Sequence, residues 1–282
     1  MNATATAGRD AVFEQRLLDG FHHQQRSNRI FRVVLGICVP LLLLAVWETL
    51  SKTHQISHIF YPAPTTIFWD LVHELQNSRD AHRLGTDLWV TIRDAGMGFG
   101  IGATIGITLG LAMGISRLTF FAFGPTVYGT LPTPKLILYP MFIIIFGLGT
   151  RSTVAITAIG VFYYMSIHTL AGVRFSQNIY AEVGKVFAIP RRWRYRKIVV
   201  PAALPLIITG IRLALGASLL IALAVEFISS TNGIGVYIWD AWTALNVPRV
   251  FAGLAVMVLV GGSVVMAGDL LEYLAVPWKR DA

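Results

Sequence analysis

Lys135, Arg212 and Glu226 are ionisable residues inside otherwise apolar stretches of this chain. A charge at membrane depth is costly, so by default it marks a solute or ion path, a relay or a structural partner. Lys135 follows Pro132-Thr133-Pro134, where two prolines take two backbone donors out of a helix. Non-helical backbone in a bilayer persists only where it is buried in protein or lines a cavity. A lysine beside such a break either snorkels or faces a polar cavity, and an anionic permeant would suit it. Thr133, Lys135, the ring pair Tyr163 and Tyr164, and Glu226 are therefore the candidate lining of a translocation pathway. The bland readings are a simple kink at the prolines, ring packing for the tyrosines and an interfacial position for Glu226. Arg212 lies roughly 10 Å into its span by helical rise, close enough to an interface to snorkel or to bond a carbonyl.

Covalent and metal chemistry find no foothold. The histidines (His22, His23, His54, His58, His73, His82 and His168) are scattered, and none forms an H-E-x-x-H or similar cluster. Cys38 is the single cysteine and cannot form an internal disulfide. No G-x-x-x-x-G-K-[ST] phosphate loop occurs, so this chain is not expected to hydrolyse ATP. Gly98, Gly100 and Gly102 superficially suggest a nucleotide loop, but they sit in an apolar span with no preceding strand. No catalytic residue, metal site or cofactor is expected in the chain, and any energy for transport must come from a partner or an ion gradient.

The elements that would position the candidate residues are membrane helices. Of 282 residues, 55% are hydrophobic and 13% charged, with a mean hydropathy of +0.62. A soluble domain carries roughly 25% charged residues, so neither a soluble enzyme nor a disordered chain fits. Six stretches are long and apolar enough for helical spans: 33–50, 88–115, 118–146, 153–173, 202–228 and 250–276. The expected organisation is a cytoplasmic tail over 1–32, a transmembrane domain over 33–276 and a short cytoplasmic tail over 277–282. With the N-terminus inside, fifteen Lys and Arg fall on the cytoplasmic side against Lys52, Arg79, Arg83, Arg151 and Arg249 outside. That asymmetry predicts both termini inside and an even number of spans. It also removes the nucleic-acid reading of the +8 net charge, since the basic residues follow topology rather than a groove.

Gly98, Gly102, Gly106, Gly110 and Gly114 recur every four residues, which puts them on one helical face for close helix packing. The stretch 174–201 is the most informative. Tyr180, Val183 and Phe187 give it an apolar face, a basic run Arg191–Lys197 follows, and Pro201 and Pro205 punctuate the return to the membrane. A short helix in a cytoplasmic loop is expected here. A topological anchor needs the charges but not the apolar face.

This stretch resembles the signature loop of binding-protein-dependent ABC importer permeases. Glu182-Val183-Gly184 stands where Glu-Ala-Ala is usual, Ala188 where glycine is usual, and Pro201 and Pro205 match the closing prolines. The segments GITLGLAMGIS (106–116), FGLG (146–149), VEFIS (225–229), NGIG (232–235) and the closing 271–278 are similar to the nitrate, sulfonate and taurine (bicarbonate) branch. The resemblance covers roughly residues 60–280 and implies an all-α, type I importer permease in the bacterial plasma membrane. It implies a second permease copy, two cytoplasmic ABC ATPase subunits that bind ATP and Mg, and an extracytoplasmic binding protein that delivers a small anion. It places ATPase coupling on Ala181, Glu182, Val183, Gly184, Lys185, Phe187, Ala188 and Pro201. The competing reading is an ion-gradient-driven secondary transporter using Lys135, Arg212 and Glu226, although no inverted repeat is visible.

Overall fold

The computed structural model describes residues 34–276 except 58, 188 and 230, and leaves undescribed the side chains of 178–186, 191, 192 and 229. The two expected tails and Ala188 therefore lie outside the described residues. The chain divides into two compact units, Met1–Phe68 and Trp69–Ala282.

In the first unit, α1 (Val34–Lys52) is an apolar helix of span length. It is followed by a turn held by the Ser51 hydroxyl, which donates to the Tyr61 carbonyl at 2.8 Å. Glu48 accepts from the Thr65 amide (3.0 Å) and hydroxyl (2.6 Å) at the start of α2 (Pro64–Gln76), the helix within which the unit boundary falls.

The second unit continues through α3 (Ser78–Ile115), α4 (Arg117–Thr130), a 3-10 turn (Lys135–Leu138), α5 (Tyr139–Phe146) and α6 (Thr150–Val186). Next come the one-turn α7 (Arg191–Arg194) and a π-helical turn (Tyr195–Val199). The remaining helices are α8 (Val200–Ser229), α9 (Ile234–Thr243) and α10 (Val247–Ala275). No strand occurs among the described residues. Five helices have the length and composition of membrane spans, and the bent pair formed by α4 with the 3-10 turn and α5 makes a sixth.

α3, α6, α8 and α10 carry the core. The glycine stripe packs α3 against α6 in parallel. A Cβ on Gly98 would lie 2.6 Å from Thr157 Cβ, on Gly106 2.7 Å from Met165 Cβ, and on Gly110 2.6 Å from the Ser166 carbonyl. At Gly102 it would run into the Ala158 carbonyl. Close backbone approach of this kind replaces the hydrophobic effect as the reason for helices to associate in lipid. Gly172 against Ala203 and Gly210 against His168 do the same between α6 and the oppositely running α8.

Two expectations change. α3 begins at Ser78, ten residues before the apolar stretch, because Asn77 caps it by accepting from the Arg79 amide and Asp80 lies in its first turn. The helix expected around Tyr180, Val183 and Phe187 is not a separate one: α6 runs on through Val186. No proline interrupts 174–186, and Gly184 costs a helix only about 1 kcal/mol. Helix structure resumes past Pro190, and the π turn Tyr195–Val199 leads into α8, with the Ser176 hydroxyl donating to the Val199 carbonyl at 3.1 Å.

Candidate translocation site

The expected break in the third span is a real one. α4 stops at Thr130 and the following helix turns away by 94°. A helix C-terminus leaves its last carbonyls without intrahelical partners and carries a partial negative charge. Lys135 answers both. Its ammonium donates to the carbonyls of Thr130 (2.6 Å), Leu131 (3.0 Å) and Thr133 (2.8 Å), and lies 4.1 Å from the centre of the Tyr163 ring. The Tyr163 hydroxyl is 2.7 Å from Thr130 Oγ1, which ties the break to α6. Pro132 and Thr133 are exposed at the break, and Lys135 is half-buried. The structure thus brings Thr133, Lys135 and Tyr163 together. Tyr164 sits on the neighbouring, more exposed face of α6, where its carbonyl is 2.8 Å from His168 Nδ1.

Glu226 belongs to a second cluster. It is buried near the end of α8, and its Oε2 accepts from Thr91 Oγ1 (2.6 Å) and from the Gly235 amide (3.1 Å). The Ile234 amide donates to Thr91 Oγ1 at 3.0 Å and the Gly233 amide to Asp87 at 3.1 Å. Three successive amides at the start of α9 are therefore capped from other helices. Gly233 has φ +121°, and a Cβ there would strike the Glu226 carboxyl. Glu226 Oε1 has no hydrogen-bond partner among the described residues. Farther along α9, the Tyr237 hydroxyl donates to Glu74, and Arg249 pairs with the same carboxylate at 2.7 Å. Burial, then the bond to Glu74, pushes the Tyr237 phenol above its ordinary range.

Asp87 and Thr91 were absent from the sequence-derived site. Their signal lay in the glycine stripe: Asp87, Thr91 and Asp94 extend the face of Gly98 back along α3 at spacings of three and four. Asp94 pairs with Arg93 at 2.8 Å, and Arg93 also donates to Thr150 Oγ1 at 2.7 Å. Arg212 is held by Asp269 (2.6 Å) and Glu272 (3.4 Å) on α10, carboxylate partners in place of the expected snorkelling or carbonyl bond.

Of the coupling candidates, Ala181, Glu182, Val183, Gly184 and Lys185 lie in the last turns of α6, with side chains outside the described ones. Phe187 follows the helix and is exposed, and Pro201 stands in the first turn of α8.

An all-helical bundle with one sharply broken span and buried polar caps is the build of a membrane transport subunit. Residues 102–280 match the family described as the binding-protein-dependent transport system inner membrane component, and the chain belongs to it. Relatives include a permease of Bacillus subtilis, SsuC, whose name assigns it provisionally to aliphatic sulfonates transport. It is 30% identical over 87% of each chain. The taurine transport system permease protein TauC of Escherichia coli is 28% identical over 89% of this chain and 91% of its own. The nitrate import permease protein NrtB of Synechocystis is 26% identical over 90% and 92%. The fold is shared with a chain of the MetNI methionine ABC transporter in an inward-facing conformation, at a TM-score of 0.63 and 15% identity, over 71% of this chain and 99% of that one. The chain is thus a multi-pass inner-membrane permease subunit of an ABC importer.

Proposed function

We propose that two copies of this permease, driven by two cytoplasmic ATPase subunits and fed by an extracytoplasmic binding protein, import a small anion of the nitrate, sulfonate or taurine type. The continuity of α6 carries this reading. Its 37 residues extend about 55 Å, against about 30 Å of bilayer hydrocarbon. One unbroken helix therefore holds Tyr163, at the break in the span, and Glu182, about 28 Å farther on and beyond the membrane. A force applied by an ATPase at Ala181–Lys185 reaches the break without passing through a joint. ATP and Mg belong to the partner subunits. Their closure opens the cavity outward to receive the solute, and hydrolysis returns it inward. At the break, Lys135 supplies positive charge and Thr133 and Tyr163 supply hydroxyls. Tyr164, on the adjacent face, meets the second copy, and Glu226 acts through the helix α9 that it holds. Both termini face the cytoplasm, as the basic loops require.

The test uses the permease reconstituted with its ATPase and binding protein. Glu182→Arg or Gly184→Trp is expected to insert normally and to uncouple ATP hydrolysis from uptake. Normal uptake by both variants, or uptake that survives ATP depletion while an ion gradient is maintained, overturns the proposal.

A further inference from the structure

A cavity of about 720 Å³ opens at the end of α3, the start of α4 and the point where α6 passes beyond its apolar stretch. Ile115 ends α3, Arg174 and Gln177 follow the apolar stretch 153–173 of α6, and Tyr195 begins the π turn that leads into α8; all four line it. The cavity therefore sits at the boundary between hydrocarbon and headgroups. The basic run Arg191–Lys197 adjoins it, so this is the cytoplasmic leaflet.

Its polar wall carries two guanidinium groups, Arg117 and Arg174, beside Ser116 at the start of α4. The Arg174 guanidinium lies over the Phe120 ring, its Cζ 3.7 Å from the ring centre. Ser116 caps α4 by accepting from the Thr119 amide at 3.3 Å, and the partial positive charge of that helix end adds to the two arginines. Arg212 and Arg249 elsewhere in the bundle are bound by carboxylates. Among the described residues, Arg117 and Arg174 form no ion pair with a carboxylate. The rim is of the opposite character. Next in the chain to the lining residues Arg117, Phe120 and Arg174 stand Leu118 (80% exposed), Phe121 (71%) and Phe175 (57%).

A cationic, hydrogen-bonding hollow under an apolar rim, at headgroup depth, matches one kind of ligand: an acidic phosphate attached to hydrocarbon. We infer that this cavity binds the headgroup of an anionic phospholipid. Arg117 and Arg174 grip its phosphodiester, and the acyl chains run along Leu118, Phe121 and Phe175. Inorganic phosphate shares the charge but gains nothing from the rim. An acidic segment of a partner protein would leave the rim facing lipid.

The test is native mass spectrometry of the full-length chain in detergent, equilibrated with equal amounts of phosphatidylglycerol and phosphatidylcholine. The wild type should retain phosphatidylglycerol preferentially. Each arginine is worth about fivefold in that preference, so Arg117→Gln/Arg174→Gln together should lower it about 25-fold. Arg174→Lys, which keeps the charge, should retain most of it, and a thermal melt like the wild type's shows that the double variant is folded. Added inorganic phosphate should leave the lipid in place. Equal retention of the two lipids, an unchanged preference in a folded double variant, or displacement by millimolar phosphate overturns the proposal. So does loss of the bound lipid when the ATPase partner is added.

Discussion

Two of the breaks between helices are satisfied in opposite ways. At 131–134 a helix ends, its carbonyls are orphaned, and one lysine of the same segment covers them. At 233–235 a helix begins, its amides are orphaned, and carboxylates and a hydroxyl from α3 and α8 cover them. The charges follow the helix dipole in both cases, a cation at a C-terminus and anions at an N-terminus. The surroundings differ. The first cap is local and half-exposed, so its carbonyls can exchange the ammonium for water or another donor. The second is buried and joins three helices, so none of its groups has an alternative. A moving site tolerates the first arrangement, whereas the second builds a fixed frame.

This contrast predicts how each region breaks. Glu226→Ala leaves the Gly235 amide and the Thr91 hydroxyl without their acceptor in a buried site. It should cost about 2–4 kcal/mol, seen as the largest fall in thermal melting temperature of the detergent-solubilised protein. Glu226→Gln keeps one acceptor oxygen and should recover a good part of that loss; equal melts for the two variants would mean that the cap is not what Glu226 contributes. Gly233→Ala is next, at about 1–3 kcal/mol, because it combines positive φ with a Cβ driven into the Glu226 carboxyl. If it melts like the wild type, the junction is looser than described. Lys135→Met should cost only about 1 kcal/mol of stability, since its carbonyls remain accessible, yet it should slow uptake of an anionic solute severalfold. A large fall in melting temperature without a transport defect would make Lys135 a frame residue like Glu226. Arg83→Gln should change least. It removes a half-exposed bond to Asp240 (2.5 Å) and a longer one to Asp87 (3.7 Å), worth about 0.5 kcal/mol in a melting curve.

Much of this was legible in the sequence. Apolar length gave the spans, four-residue spacing gave the glycine face of α3, and Pro132 and Pro134 gave the broken span. Each of these depends on the backbone and its near neighbours: helical rise sets length, 3.6-residue periodicity sets a face, and a missing N–H stops a ladder wherever it occurs. The continuity of α6 was harder to see, because a basic, polar stretch after an apolar one reads as the end of a helix when it marks only the end of the membrane.

What the tertiary structure alone decided are the pairings. Nothing in the order of residues says that Glu226 meets Thr91, 135 positions away, or that Asp87 caps a glycine 146 positions on. Nor does it say that Arg212 finds Asp269 rather than the interface. A buried polar group must have a partner, so the sequence foretells that one exists. Which one it is depends on the helices that glycine and side-chain packing bring side by side, and that choice is made only when the bundle closes.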